Sequence, residues 1–149
     1  MLSIHELRSD AGIAAAFPLM ASLRDRIHAD TFLGEVRRQQ EQGYQLIGAF
    51  DGTTLVALAG VRRSHTLSRG EHVFVDDLVT DERMRGAGHG RTLVRWIAER
   101  AAADGIERIY LDSRLTAKGF YAGLGFTFHT SIPCWLDVRK FLAEASGVL

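Results

Sequence analysis

The chain has 149 residues, a length that suits one domain, residues 1–149, with one hydrophobic core. Hydrophobic residues make up 46% and charged residues 24%, the composition of an ordinary soluble globular protein. Basic and acidic residues balance at 18 each, which excludes a global basic field for nucleic acid and an acidic field for polyamines. Cys134 is the one cysteine, so no intramolecular disulfide can form. No Cys/His spacing reads as a structural zinc site, and no metal is expected. Apolar runs all fall short of the roughly 20 residues that span a bilayer, so no membrane partner is expected. Met1–Glu6 lacks the basic and apolar regions of a signal peptide, and a cytoplasmic location is expected.

In chain order, Leu2–Leu7 reads as a short edge strand. Ile13, Ala16, Phe17, Met20, Leu23 and Ile27 recur at helical spacing, predicting a helix over 11–27 with Asp10 as N-cap. Pro18 interrupts it, so a kink or a restart is expected there. A second helix is predicted from Asp30 to Gln42, stopped by Gly43. Tyr44–Phe50 and Thr54–Val61 read as strands joined by the Asp51-Gly52 turn. Ser64–Gly70 is polar and turn-rich, and Val73–Val79 is the next strand. A helix follows with Leu93, Val94, Ile97 and Ala101 on its buried side, ending at Asp104-Gly105. Arg108–Asp112 reads as a short strand and Ala117–Leu124 as a short helix. Phe126–His129 and Cys134–Val138 read as final strands. Antiparallel strands early, then strand–helix–strand–helix, predict an α+β domain with one partly parallel sheet.

Between the strand ending at Val79 and the following helix lies Arg85-Gly86-Ala87-Gly88-His89-Gly90-Arg91-Thr92. Alternating glycines at a helix N-terminus build a nest of backbone N–H groups that holds a phosphate. A Walker loop needs a lysine where Arg91 stands, which argues against an ATP-dependent transferase. A dinucleotide fingerprint needs a glycine at that same position. The loop does resemble the Arg-x-x-Gly-x-Gly signature of the GCN5-related N-acetyltransferases, the GNAT superfamily. The resemblance implies that Arg85, Gly86, Ala87, Gly88, His89, Gly90, Arg91 and Thr92 grip the pyrophosphate of acetyl-CoA. It also implies the acyl-CoA N-acyltransferase fold. That fold has an antiparallel meander followed by parallel strands that splay at the cofactor site, all flanked by helices.

Phe120-Tyr121-Ala122-Gly123-Leu124-Gly125-Phe126 resembles the Phe-Tyr-x-x-x-Gly-Phe segment of the same superfamily. By that resemblance Tyr121 is the general acid for the departing thiolate. A phenol of pKa about 10 can lend a proton to a thiol of pKa about 8.5. Many members carry an asparagine shortly before this tyrosine, contacting the cofactor arm. Here Ser113 or Arg114 stands in that place, and Ser113 is the candidate contact.

An attacking amine must lose a proton, so a carboxylate or a water relay is expected beside the acyl site. Asp76 and Asp77 are the candidates, with Asp76 favoured. Strand alternation lets one of them face the cleft unless a bulge intervenes, and members of the superfamily commonly have a bulge here. Backbone N–H groups at Leu78, Val79 and Thr80 are placed to meet the acetyl carbonyl and the pantetheine amide. Arg62, Arg63, Arg69, His65 and Trp135 lie in the segments expected to face the acceptor, where arginines could take a carboxylate.

The expected function is transfer of an acetyl group from acetyl-CoA to a primary amine of a small molecule or peptide. No nucleic-acid partner is expected, and homodimers are common in the superfamily. The alternative is a non-catalytic acyl-CoA-binding sensor or partner module of the same fold.

Overall fold

The computed structural model describes residues 1–147, with side chains as far as residue 144. The chain falls into two compact units, one of residues 1–111 and one from Asp112 onward. In the first unit β1 (Ser3–Glu6) precedes helices α1 (Asp10–Ala15), α2 (Phe17–Leu23) and α3 (Ala29–Gln40). β2 (Tyr44–Asp51), β3 (Thr54–Thr66) and β4 (Gly70–Thr80) form a meander. Helix α4 (His89–Ala103) then leads to β5 (Ile109–Leu111). The sheet order is β1-β2-β3-β4-β5, antiparallel up to β4 and parallel between β4 and β5. This is the mixed α+β sheet expected from the sequence.

Local chemistry sets the helix ends. Ser9, not Asp10, caps α1, its Oγ accepting the Gly12 N–H at 3.0 Å. Asp10 is instead the first helical residue, where negative charge is favoured, and it pairs with Arg37 of α3. The helical pattern restarts at the proline. Ala16 ends α1, and Pro18 sits in the first turn of α2, where its missing N–H has no bond to lose. Helix α2 stops at Leu23, short of Ile27, because Arg24 turns to an extended conformation and leaves the helix.

The sheet is buried on both faces. Ile47, Val61, Val73 and Val75 pack against Leu93 and Ile97 of α4. Leu46, Leu58 and Val79 pack on the other face against Ile13, Met20 and Phe32 of α1 to α3. One irregularity in β4 matters for the site. Gly60 of β3 pairs with Asp77 and Val61 with Val75, so Asp76 is an extra residue in the ladder. Such a bulge shifts the in–out alternation by one residue. Val73, Val75 and Leu78 accordingly join the α4 side, whereas Val79 joins the α1–α3 side. Asp76 and Asp77 therefore share the α1–α3 face. The β4–β5 pairing spans Val73 to Val75 alone. From Asp76 to Thr80, β4 runs on with no strand partner on that edge among the described residues.

In the second unit a 3-10 turn (Leu115–Ala117) enters α5 (Lys118–Leu124), and α6 (Val138–Gly147) follows later. The final strands expected at Phe126–His129 and Cys134–Val138 do not form. Alternating apolar residues suit a strand, but that propensity is realised only against a paired neighbour. Pro133 also lacks the N–H a ladder would use. Val138 opens α6 instead. Asp137 caps this helix, its Oδ1 accepting the Lys140 N–H at 2.9 Å.

Candidate functional site

The glycine loop joins β4 to α4 through a 3-10 turn over Glu82–Met84. Asp81 caps that turn by accepting the Arg83 N–H at 3.0 Å. Hydrogen bonds from Arg83 hold the Asp81 carboxyl below its ordinary pKa. Gly86 and Gly88 have φ of 89° and 78°, the left-handed region that side chains resist. An added Cβ at either would meet nothing within 4 Å, so conformation rather than crowding calls for glycine.

Gly88 is the N-cap of α4, and no side chain caps the helix. The first intrahelical bond runs from the Thr92 N–H to the Gly88 carbonyl at 3.0 Å. The N–H groups of His89, Gly90 and Arg91 thus have no helical acceptor. They form the positive end of a 15-residue helix. Gly90 is buried inside the first turn, so the third glycine belongs to the helix. Ala87 and Arg91 are exposed. Arg85 is exposed too, its guanidinium 3.8 Å from Glu82. Leu78, Val79 and Thr80 pair with Ala59, Leu58 and Ala57 of β3, on the stretch of β4 that outruns β5.

On the α1–α3 face the two aspartates anchor an ionic network. Asp76 accepts two bonds from Arg62, from Nε at 2.6 Å and from Nη2 at 2.9 Å. Arg24 donates from Nη2 to the Asp76 carbonyl at 2.6 Å and from Nε to Asp77 Oδ1 at 2.9 Å. The Tyr44 hydroxyl donates to Asp77 Oδ2 at 2.8 Å. Burial, then the adjacent Asp77 charge, push the Tyr44 phenol far above its ordinary pKa. The Asp76 hydrogen bond raises Arg62 further. Tyr44 reaches Asp77 by lying across Gly60, where an added Cβ would overlap the phenol. Side-chain exposure is 27% for Asp76 and 12% for Asp77.

Sequence reasoning missed Arg24 and Tyr44. Each meets Asp77 from a distant part of the chain and belongs to no motif. The one available signal was Gly60, since a glycine inside a strand often marks a close approach. Arg63 leaves the group of acceptor-facing arginines, because it pairs with Glu71 at 3.6 Å and Asp104 at 3.4 Å. Asp104 ends α4, which places Arg63 on the opposite face. A cavity of about 550 Å³ opens there, lined by Glu6, Arg63, Trp96, Ile97 and Arg100 among others. Apart from Arg63, none of the expected site residues lines it.

In the second unit Tyr121 lies buried on α5, edge-on to Phe120 at 5.1 Å and to Phe126 at 5.3 Å. Gly125 ends that helix with φ of 95°, and the Phe126 N–H returns to the Tyr121 carbonyl at 3.0 Å. The motif glycine therefore folds Phe126 back onto the tyrosine. Ser113 is half-buried, and its Oγ donates to the Arg114 carbonyl at 2.8 Å.

A mixed sheet whose parallel strands part beside a glycine-capped helix is the GNAT arrangement. A model of the acetyltransferase (GNAT) family matches residues 4–126, and the chain belongs to that family. It is similar to the uncharacterized N-acetyltransferase YhdJ of Bacillus subtilis (strain 168). The two are 29% identical over 135 residues, covering 87% of this chain and 95% of that protein. In fold it is similar to the aminoglycoside N-acetyltransferase AAC(6')-Iy in complex with CoA, with TM-score 0.79 and 14% identity. That match covers 93% of this chain and 95% of the other. A putative acetyltransferase from Agrobacterium tumefaciens str. C58 has TM-score 0.77 and 21% identity, over 91% of this chain and 99% of the other. No helix among the described residues is long and apolar enough to cross a membrane.

Proposed function

We propose that this chain is an N-acetyltransferase that moves the acetyl group of acetyl-CoA onto a primary amine of a small molecule or peptide. The observation that carries this reading is the uncapped, left-handed Gly88 at the start of α4, next to the stretch of β4 that outruns β5. Three backbone donors at the positive end of a helix match the chemistry of a pyrophosphate. Each charge-assisted bond contributes about 1.5–3 kcal/mol. The loop from Arg85 to Thr92 would hold that group, and the unpaired edge at Leu78 to Thr80 would meet the acyl carbonyl and the pantetheine amide. Ser113 is proposed as a further contact of the pantetheine arm. The family match crosses the boundary between the two units, which supports reading residues 1–149 as one domain.

The amine loses its proton to Asp76 or Asp77, directly or through water. Asp76 is favoured because it is the more exposed of the two. Each carboxylate oxygen has two lone pairs, so an arginine-paired aspartate can still accept a proton. Nitrogen attacks the thioester carbon, the carbon–sulfur bond breaks, and Tyr121 returns a proton to the thiolate. The role of Tyr121 rests on its motif.

A second reading, a non-catalytic acyl-CoA-binding module, draws on the pairing of both aspartates with arginines. Two measurements separate the readings. Acetyl-CoA at a hundredfold excess over Kd should stabilise the protein by about 2.7 kcal/mol. That corresponds to a Tm rise of about 5–10 °C. Free thiol should then accumulate when amines are added. Stabilisation without thiol release would favour the binding module, and no stabilisation would remove both readings.

A further inference from the structure

We propose that the acceptor amine carries a carboxylate and that Arg69 receives it. This inference rests on the transferase reading and names the substrate class for that site. Two arginines meet the aspartates on the α1–α3 face, and both are engaged. Arg62 is held by Asp76 and Arg24 by Asp77. Those pairs cancel, leaving the network without net charge.

Arg69 is placed differently. It lies in the turn between β3 and β4, which the Arg69 N–H braces by donating to Thr66 Oγ1 at 3.2 Å. Its guanidinium lies over the Tyr110 ring at 4.2 Å and 6.0 Å from the Phe74 ring. Phe74 and Tyr110 are register partners across β4 and β5. Phe74 also underlies Arg62 at 5.3 Å, so the ring platform is continuous with the aspartate network. No carboxylate lies within ion-pair distance of Arg69 among the described residues.

Stacking uses the flat face of a guanidinium and leaves its in-plane N–H groups pointing outward. Those donors form a fork that fits a carboxylate, and the group stays charged at any working pH. Aromatic rings beneath it hold the group in place without neutralising it. The result is a held, uncompensated cation on the face that carries the proposed base. Arg62, which holds Asp76, and Arg69 lie 5.3 Å and 6.0 Å from the same Phe74 ring, which sets the two ends of the proposed site on one platform. An amine at Asp76 and a carboxylate at Arg69 would then belong to one small molecule. The substrate class is a small amino acid.

The test compares matched acceptors, namely glycine, β-alanine, γ-aminobutyrate and glutamate, each against its carboxamide. Acetyl-CoA thiol release is read for the wild type, Arg69→Gln and Arg69→Lys. The wild type should prefer at least one acid over its amide tenfold or more in kcat/KM, chiefly through KM. In Arg69→Gln that ratio should collapse towards one, and Arg69→Lys should restore part of it. A merely structural arginine would lower both members of a pair alike and leave the ratio unchanged, which overturns the inference. Neutral amines acetylated with no acid preferred would overturn it too, while leaving the transferase reading intact. No thiol release with any of these acids or amides would overturn it as well. Release in a wider screen of amines and peptides would then keep the transferase reading, while its absence would remove that too.

Discussion

Gly60→Ala tests the packing that brings Tyr44 to the aspartates. The new Cβ would overlap the Tyr44 hydroxyl and lie 2.5 Å from its Cε1. Tyr44 is 3% exposed, so the ring cannot swing aside without disturbing the core between the sheet and helices α1 to α3. Overpacking of a core costs about 1–3 kcal/mol. Loss of a hydrogen bond to a charged partner costs about 1.5–3 kcal/mol. A loss on the order of 3 kcal/mol or more corresponds to a Tm drop of about 6–12 °C. Differential scanning calorimetry reads it directly. Gly34→Ala is the control, because Gly34 lies in α3 with nothing within 4 Å of an added Cβ, and it should stabilise by about 0.5–1 kcal/mol. The paired variant Gly60→Ala with Tyr44→Ala should cost less than the two single changes combined, since the clash disappears with the ring. A loss below about 1 kcal/mol in Gly60→Ala, or strict additivity in the pair, would refute the placement of Tyr44 across Gly60.

Tyr44 also makes alkaline stability depend on one phenol. Its folded pKa is raised above the ordinary 10.0, so its contribution is complete below pH 10 and is lost as pH rises beyond it. Between pH 9 and 11 the wild-type Tm should therefore fall more steeply than that of Tyr44→Phe, and parallel curves would contradict the assignment. Gly88→Val should abolish the Tm shift with acetyl-CoA while leaving the circular dichroism spectrum folded. A β-branched residue resists φ of 78° and blocks approach to the donors, and each bond lost weakens binding roughly ten- to hundredfold. Tyr121→Phe should lower kcat with little change in CoA affinity, measured by thiol release and calorimetric titration. Equal turnover would reduce Tyr121 to packing against Phe120 and Phe126.

Local signals were legible in the sequence wherever a backbone requirement has a residue signature. Gly86 and Gly88 sit at positive φ because few other residues tolerate it, and the uncapped start of α4 follows from them. Asp51-Gly52, Pro18 and Gly125 mark a turn, a helix start and a helix end for the same kind of reason. The mixed sheet followed from the order of such elements. The failures have physical causes too. Phe126–His129 alternates like a strand, but whether a ladder forms depends on a partner elsewhere in the chain. Asp76 and Asp77 were visible as carboxylates, yet their common face depends on a bulge opposite Gly60 and Val61. Their arginine and tyrosine partners lie 14 to 53 residues away, a separation no local pattern encodes. Arg62, Arg63 and Arg69 looked alike as residues. Tertiary packing gave the first to Asp76, turned the second to the opposite face and left the third over two aromatic rings. Composition and spacing determined which groups the chain carries, and the three-dimensional fold determined which charges were neutralised, because pairing depends on distance in space.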